Sequence, residues 1–221
     1  MPAPPLTLLH HDARLAVVNK PSGLIVHRGW ADDEDDLMRS LRDQLGVPVQ
    51  PIHRLDRGTS GAVVFALDAE ATRLLSQGFA AGTVAKRYLG IVRGHPPEHL
   101  VIDHPVPGKP DGPRVPACTE LRRLAIFERY ALVEATPHTG RLHQIRRHLK
   151  HIACPLIGDV KYGKGEHNRL FRERHGLHRL ALHARWLRLE HPDDGAPLEI
   201  TAPVTGALAA CLAAIFPDAL F

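Results

Sequence analysis

The sequence predicts an α+β fold built on a mixed or antiparallel sheet. Short apolar or alternating runs of strand length recur at residues 15–18, 62–67, 83–92, 118–124, 130–135, 180–189 and 198–201. Amphipathic stretches of helical spacing stand between them at irregular intervals. The regular strand–helix–strand rhythm of a doubly wound parallel sheet is missing.

The elements follow in order. Residues 1–5 carry three Pro and read as a loose lead-in. The run at 15–18 enters a tight turn at Asn19-Lys20-Pro21-Ser22-Gly23. Five consecutive acids at 32–36 precede Leu37, Met38, Leu41 and Leu45, a helix with acids at its positive end. Gly46 and Pro48 stop it. Residues 62–67 form a buried strand, and 68–79 a short helix with Leu74, Leu75 and Phe79 inward. The strand at 83–92 closes at Gly94. Residues 95–116 hold seven Pro and are expected to be a long loop or hairpin-like excursion. Strands resume at 118–124 and 130–135, and residues 141–152 read as a helix with Leu142, Ile145 and Leu149 on one face. An Ala-rich helix at 205–216 follows the last two strands.

Charge is unevenly distributed over the 221 residues. The net is +4, yet residues 141–190 hold 12 Lys/Arg against 4 acids, while 191–221 hold four acids and no Lys or Arg. A basic block in an otherwise balanced chain suits a polyanion, nucleic acid above all. No run approaches the roughly 18 apolar residues of a membrane span. The N-terminus lacks the pattern of a signal peptide. Cys118, Cys154 and Cys211 are odd in number and widely spaced, which fits a reducing cytosol and neither a disulfide framework nor a zinc site.

The densest polar cluster is His53-Arg54-Leu55-Asp56-Arg57-Gly58-Thr59-Ser60-Gly61. Cations and donors around Asp56 favour an ionised carboxylate, able to act as nucleophile or base at a sugar carbon. A loop Asp that pairs with a neighbouring Arg and caps the turn is the structural alternative. A second cluster, Thr139 to His148, would place Arg141, Gln144 and His148 on one helical face and extend Arg146, whose fork can hold a carboxylate. A basic helix with a solvated polar face is its alternative. In Lys86-Arg87-Tyr88 a strand Tyr follows two cations and could stack on a base; a half-buried strand Tyr is the plainer reading.

Other chemistries fit less well. His143, His148 and His151 lack zinc-helix spacing, the N-terminal His10-His11 pair carries no particular meaning, and no metal is expected. Ser60 is not in a G-x-S-x-G elbow. A glycosidase would need a second carboxylate.

Together these residues resemble the pseudouridine synthases that carry an H-R-L-D signature. The resemblance runs through Val18 to Gly23, residues 53–61, Ala85-Lys86-Arg87-Tyr88, residues 140–146, Pro155-Leu156-Ile157-Gly158-Asp159 and Leu182-His183-Ala184. The string at 53–61 is highly specific; the others are individually weak but occur in the family's order. The resemblance implies one catalytic α+β domain over residues 1–221, with a central mixed, mostly antiparallel sheet flanked by helices and no S4-like RNA-binding domain.

It also implies roles. Asp56 would be the essential carboxylate, Arg146 its ion-pair partner, and Tyr88 would lie against the target base. Arg54 would fill the space that the flipped uridine leaves, and Ile145 would pack beside the site. Lys20 and His183 match family positions with structural roles. An isomerisation of uridine needs no cofactor. Val26-His27-Arg28-Gly29-Trp30 and Arg57 are most similar to the members that act on uridine 65 in the T-stem of tRNA. Ribosomal RNA or a tRNA anticodon stem-loop is the alternative substrate, and a non-catalytic RNA-binding module or a metal-dependent RNA hydrolase the alternative class. Residues 95–116 are shorter than that subgroup leads one to expect. Arg54, Arg57, Lys161, Lys164, Arg169, Arg172 and Arg174 are the expected RNA contacts, in a cytoplasmic monomer with no obligate protein partner.

Overall fold

A computed structural model describes residues 5–28 and 36–219. Gly29, Trp30 and the acids at 32–35 lie outside the described residues. The strands are β1 (Leu8–His11), β2 (Leu15–Lys20), β3 (Gln50–Pro51), β4 (Ser60–Ala66), β5 (Ala85–Arg93), β6 (His99–Asp103), β7 (Val106–Pro107), β8 (Arg114–Val115), β9 (Cys118–Phe127), β10 (Tyr130–Pro137), β11 (Leu182–Glu190) and β12 (Pro197–Thr201). The helices are α1 (Leu37–Leu45), α2 (Ala69–Ala81), α3 (Gln144–His151), α4 (Gly165–His175) and α5 (Gly206–Ile215). The class is α+β, as predicted. The chain divides into two compact units, one of Met1–Lys86 with Ala184–Pro203, the other of Arg87–His183 with Val204–Phe221.

In the first unit β2 pairs antiparallel with β1 and β4, and β12 pairs antiparallel with β11. Leu15, Val17, Ala62 and Val64 join Ala71 and Leu75 of α2 and Leu187, Leu189 and Ile200 in one apolar cluster. Leu75 and Ala71 form the buried face of α2, while Leu74 and Phe79 are only half-buried. Asp36 caps α1 by accepting the Arg39 amide, and Asp68 caps α2 by accepting that of Ala71. Gly46 ends α1 in the left-handed conformation, as its position predicts.

Gly61 has φ +114°, and a Cβ there would collide with the backbone carbonyl of Ala184. Both the dihedral and the backbone contact exclude a side chain. Gly61→Ala is expected to cost about 3 kcal/mol or more, read as a lowered urea midpoint.

In the second unit β10 pairs antiparallel with β5 and β9, and β9 pairs with β6. Alternation along β10 serves two cores. Tyr130 and Leu132 pack with Phe171, Leu208, Leu212 and Ile215 under α4 and α5. Ala131, Val133 and Ala135 pack with Ile145 and Leu149 of α3. The sheet of this unit is thus covered by helices on both faces.

The structure refines the sequence reading at three points. Of the two readings of the Pro-rich stretch, the hairpin-like excursion holds and the long loop does not: the stretch contains β6, and the β7–β8 hairpin turns within it. The helix expected over 141–152 starts only at Gln144, because His143 adopts φ 51° in the left-handed region. Arg141 and Leu142 therefore precede the helix, and Arg141 shares no helical face with Gln144. Helix α4 falls in a segment for which the sequence suggested no element.

Candidate active site

Asp56 lies half-buried in the loop between β3 and β4, in the first unit, with Arg54 and Arg57 exposed beside it. The loop is held at several points. The Thr59 amide donates to the Asp56 carbonyl at 3.0 Å. Ser22 Oγ donates to the Gly58 carbonyl at 2.8 Å, and the Gly23 amide to that of Arg57 at 2.8 Å. Lys20, fully buried at the end of β2, donates its ammonium to the carbonyls of Leu24 (2.6 Å), Pro21 (2.9 Å) and Arg57 (3.3 Å). Lys20 is thus a scaffold for this loop, consistent with the structural role its match to the family implies.

His53 begins the loop and locks it to β4. Its ring stacks on Phe79 with centroids 4.7 Å apart, and its Nε2 accepts the Val64 amide at 3.2 Å. An accepting Nε2 requires a neutral ring. Burial, and secondly the charge of Lys86, push the imidazole down to about 3. Burial also lowers the Lys86 ammonium, whose Nζ sits 5.4 Å from the Phe79 ring centroid. The unfolded ring binds its proton near 6.5, so between 6.5 and 3 the unfolded state holds more protons. Stability should be full above pH 6.5 and fall as pH drops toward 3, by up to about 1.4 kcal/mol per pH unit. Urea unfolding at several pH values checks this, and His53→Gln should flatten the dependence.

Tyr88 and Arg146 belong to the second unit. Tyr88 is half-buried on β5, opposite Ala135, and packs against the cluster that contains Ile145. Arg146 is 12% exposed and grips Asp159, which is 1% exposed. Nε donates to Asp159 Oδ2 at 2.7 Å and Nη2 to Oδ1 at 3.0 Å, a bidentate fork. Asp159 Oδ1 also accepts the Lys161 and Tyr162 amides at 3.0 Å each. Burial would raise the Asp159 carboxyl, but Arg146 and these amides outweigh it and hold it below its usual range. Asn168 of α4 secures the turn, accepting the Gly158 amide and donating to the Asp159 carbonyl. Asp159 stood in the sequence motif without a role; its 13-residue separation from Arg146 hid the pairing.

Gln144, buried at the start of α3, fixes that helix. Its Oε1 accepts the Arg141 amide and the Thr139 hydroxyl, and its Nε2 donates to Cys118 O and Thr119 Oγ1.

A cationic surface surrounds Tyr162, which the sequence did not single out. Its ring centroid lies 5.1 Å from the Arg146 guanidinium carbon, 5.9 Å from that of Arg147, 6.0 Å from Lys150 Nζ and 5.7 Å from Lys161 Nζ. Lys150 and Lys161 are exposed. Lys164, Arg169, Arg172 and Arg174, on α4 and its N-cap, are exposed too. Arg179 is different: it is half-buried, donates to the Leu180 and Leu182 carbonyls, and is lowered to about 10 by burial. Part of the basic block thus serves internal structure.

Among the described residues no helix is long and apolar enough to cross a membrane. The three cysteines are free thiols, Cys154 and Cys211 buried.

Residues 14–151 match the family described as RNA pseudouridylate synthase. The chain is 42% identical over 219 residues to "tRNA pseudouridine synthase C" of Haemophilus ducreyi, covering 89% of this chain and 90% of that protein. It is 42% identical over 220 residues to the protein of that name from Vibrio cholerae, with the same coverage. Among solved structures it is similar to human RNA Pseudouridylate Synthase Domain Containing 1, with a TM-score of 0.78 and 26% identity over 96% of this chain and 90% of that one. Human RNA Pseudouridylate Synthase Domain Containing 4 has a TM-score of 0.76 and 29% identity, covering 93% of this chain and 91% of the other. The signature loop around Asp56, its scaffold and these likenesses agree: the chain belongs to the RNA pseudouridylate synthase family.

Proposed function

We propose that this protein converts a uridine of tRNA to pseudouridine in the cytosol, at position 65 of the T-stem, with Asp56 as the essential carboxylate. The observation that carries the reading is the His53–Asp56 signature on a braced loop, in a chain 42% identical to tRNA pseudouridine synthase C along nearly its whole length. The N1–C1′ bond breaks, the base turns, and C5 joins C1′ while its proton leaves for N1. No atom is gained or lost, so the reaction calls for no cofactor. The carboxylate can attack C1′ or take the C2′ proton; either use needs it ionised. Arg146 would provide the charge opposite it, through guanidinium donors beyond those that grip Asp159. Tyr88 would face the base and Arg54 would replace it in the stack, offsetting part of the few kcal/mol that flipping costs. The two units would serve one catalytic domain, acting as a monomer.

RNA would meet Arg57 and the exposed cations around Tyr162 and along α4: Lys161, Lys164, Arg169, Arg172 and Arg174. Removing one cation from a phosphate should reduce the slope of log affinity against log salt by about 0.7–0.9. Lys161→Ala with Lys164→Ala should therefore flatten the salt dependence of tRNA binding in a filter assay.

The deciding experiment mixes the protein with unmodified tRNA and ribosomal RNA made in vitro and maps pseudouridine by carbodiimide-blocked primer extension. A stop at tRNA position 65 is expected. A stop only in ribosomal RNA, or in the anticodon stem-loop, would replace the substrate. No stop in either RNA with well-folded protein would overturn the enzymatic reading.

A further inference from the structure

One cluster lies apart from the Asp56 loop, within the first unit. His10 is on β1, Asp12 in the turn from β1 to β2, and His191 in the turn from β11 to β12. Both imidazoles direct Nε2 at the same carboxylate oxygen. Asp12 Oδ2 is 2.5 Å from His10 Nε2 and 3.0 Å from His191 Nε2. The three ligand atoms lie within 4.8 Å of one another. Asp12 Oδ1 faces the other way and accepts the Arg14 and Leu15 amides at 2.7 and 2.9 Å, which locks the carboxylate with Oδ2 toward the imidazoles.

We propose that His10, Asp12 and His191 bind a divalent ion of the zinc class, with a fourth position open to water. Two nitrogens and one oxygen suit Zn²⁺, Co²⁺ or Ni²⁺, whereas Mg²⁺ and Ca²⁺ prefer oxygen alone. A tetrahedral ion with bonds of about 2.0–2.1 Å spaces its ligand atoms roughly 3.4 Å apart. The two imidazole–carboxylate contacts need to widen by about 1 Å or less to admit it. All three side chains are half-buried, at 28%, 29% and 19% exposure, so an ion can reach them. The surroundings favour a dication. Asp194 stands beside His191, and Asp68, Glu70 and Asp193 outnumber Arg14, the cation they pair with.

An outer partner is also present. His191 Nδ1 lies 3.8 Å from Asp194 Oδ1, the position from which a carboxylate takes the remaining proton of a metal-bound imidazole. The Asp193 amide points at that nitrogen from 3.3 Å, so metal binding would exchange one partner for the other. The ion would tie the first strand to the β11–β12 turn. Its role is structural, because the isomerisation does not call on it.

The test uses the full-length protein, treated with EDTA and dialysed, then titrated with Co²⁺ and Zn²⁺. One equivalent of Co²⁺ should bind with a strong visible d–d spectrum of tetrahedral type, displaced by Zn²⁺ and not by Mg²⁺. A hundredfold excess of Zn²⁺ over its dissociation constant should raise Tm by about 5 °C. His10→Gln and His191→Gln should each weaken binding by more than about 100-fold, and Asp194→Asn by about tenfold. Pseudouridine formation in these variants and in EDTA should stay at the wild-type level, which also reports that they fold. Absence of a stoichiometric site in the wild type would overturn the proposal. So would binding that survives in the His10→Gln/His191→Gln protein, since it would belong to other histidines; the three residues would then be a hydrogen-bonded pin.

Discussion

Asp56→Asn is expected to lower pseudouridine formation by at least about 10⁴-fold while leaving tRNA bound at wild-type affinity or slightly tighter. The substitution keeps the side chain's shape and removes the ionised oxygen that the proposed reaction uses at C1′ or C2′, and losses of this size follow removal of a nucleophile or base. Binding should persist because Arg54 and Arg57 are exposed on either side of Asp56, and a carboxylate between them repels phosphate. Carbodiimide primer extension measures turnover and filter binding measures affinity. Turnover above about 1% of wild type would mean that another group performs the chemistry.

Asp159→Ala has the second large effect, on stability first. It removes the carboxylate that the nearly buried Arg146 guanidinium grips through its bidentate fork and strips the Lys161 and Tyr162 amides of their acceptor. Removing one partner of a buried ion pair costs about 3–5 kcal/mol. In a chain of this length that is a fall in Tm of roughly 10 °C. Asp159→Asn should lose less, because an amide oxygen can still accept from the backbone. The pair's contribution is fully present above the ordinary carboxyl value of 3.8 and is lost as pH falls through the depressed folded one. The difference between wild type and either variant should therefore narrow in acid. A Tm within about 2 °C of wild type at neutral pH would show that Arg146 is neutralised by another route.

The elements legible in the sequence were those whose burial pattern is complete. β2 and β4 are apolar runs buried on both faces, and α1 carries its own cap and stop signal. Helix α4 was hidden because GEHNRLFRERH is polar on nearly every side, with His167 and Phe171 as its buried residues. β6 was hidden by the prolines around it, although its pairing to β9 avoids them. The Asp56 loop was legible as a dense polar string. How it is supported was not: the resemblance gave Lys20 a structural role, but a lysine 37 positions before Arg57, donating to backbone carbonyls, leaves no side-chain pattern that names its partners. The Arg146–Asp159 fork and the Tyr162 surface likewise depend on a turn that only the folded chain closes. Arg146 belongs to the basic block and the resemblance pairs it with Asp56; the fork adds Asp159, a carboxylate of its own unit that no pattern in the sequence ties to it.

The buried ammonium of Lys20 has a kinetic consequence. Its bond to the Arg57 carbonyl ties the Asp56 loop to the end of β2, and Lys20 itself is paired to Gly61 in the β2–β4 ladder. The loop cannot lift away on its own without stranding a charge in the interior. Its backbone amides should therefore exchange with deuterium at the rate at which the first unit opens as a whole, not at the faster rate of a surface loop. The fixed placement of Asp56 and the resistance of this segment to proteolysis would then rise and fall together.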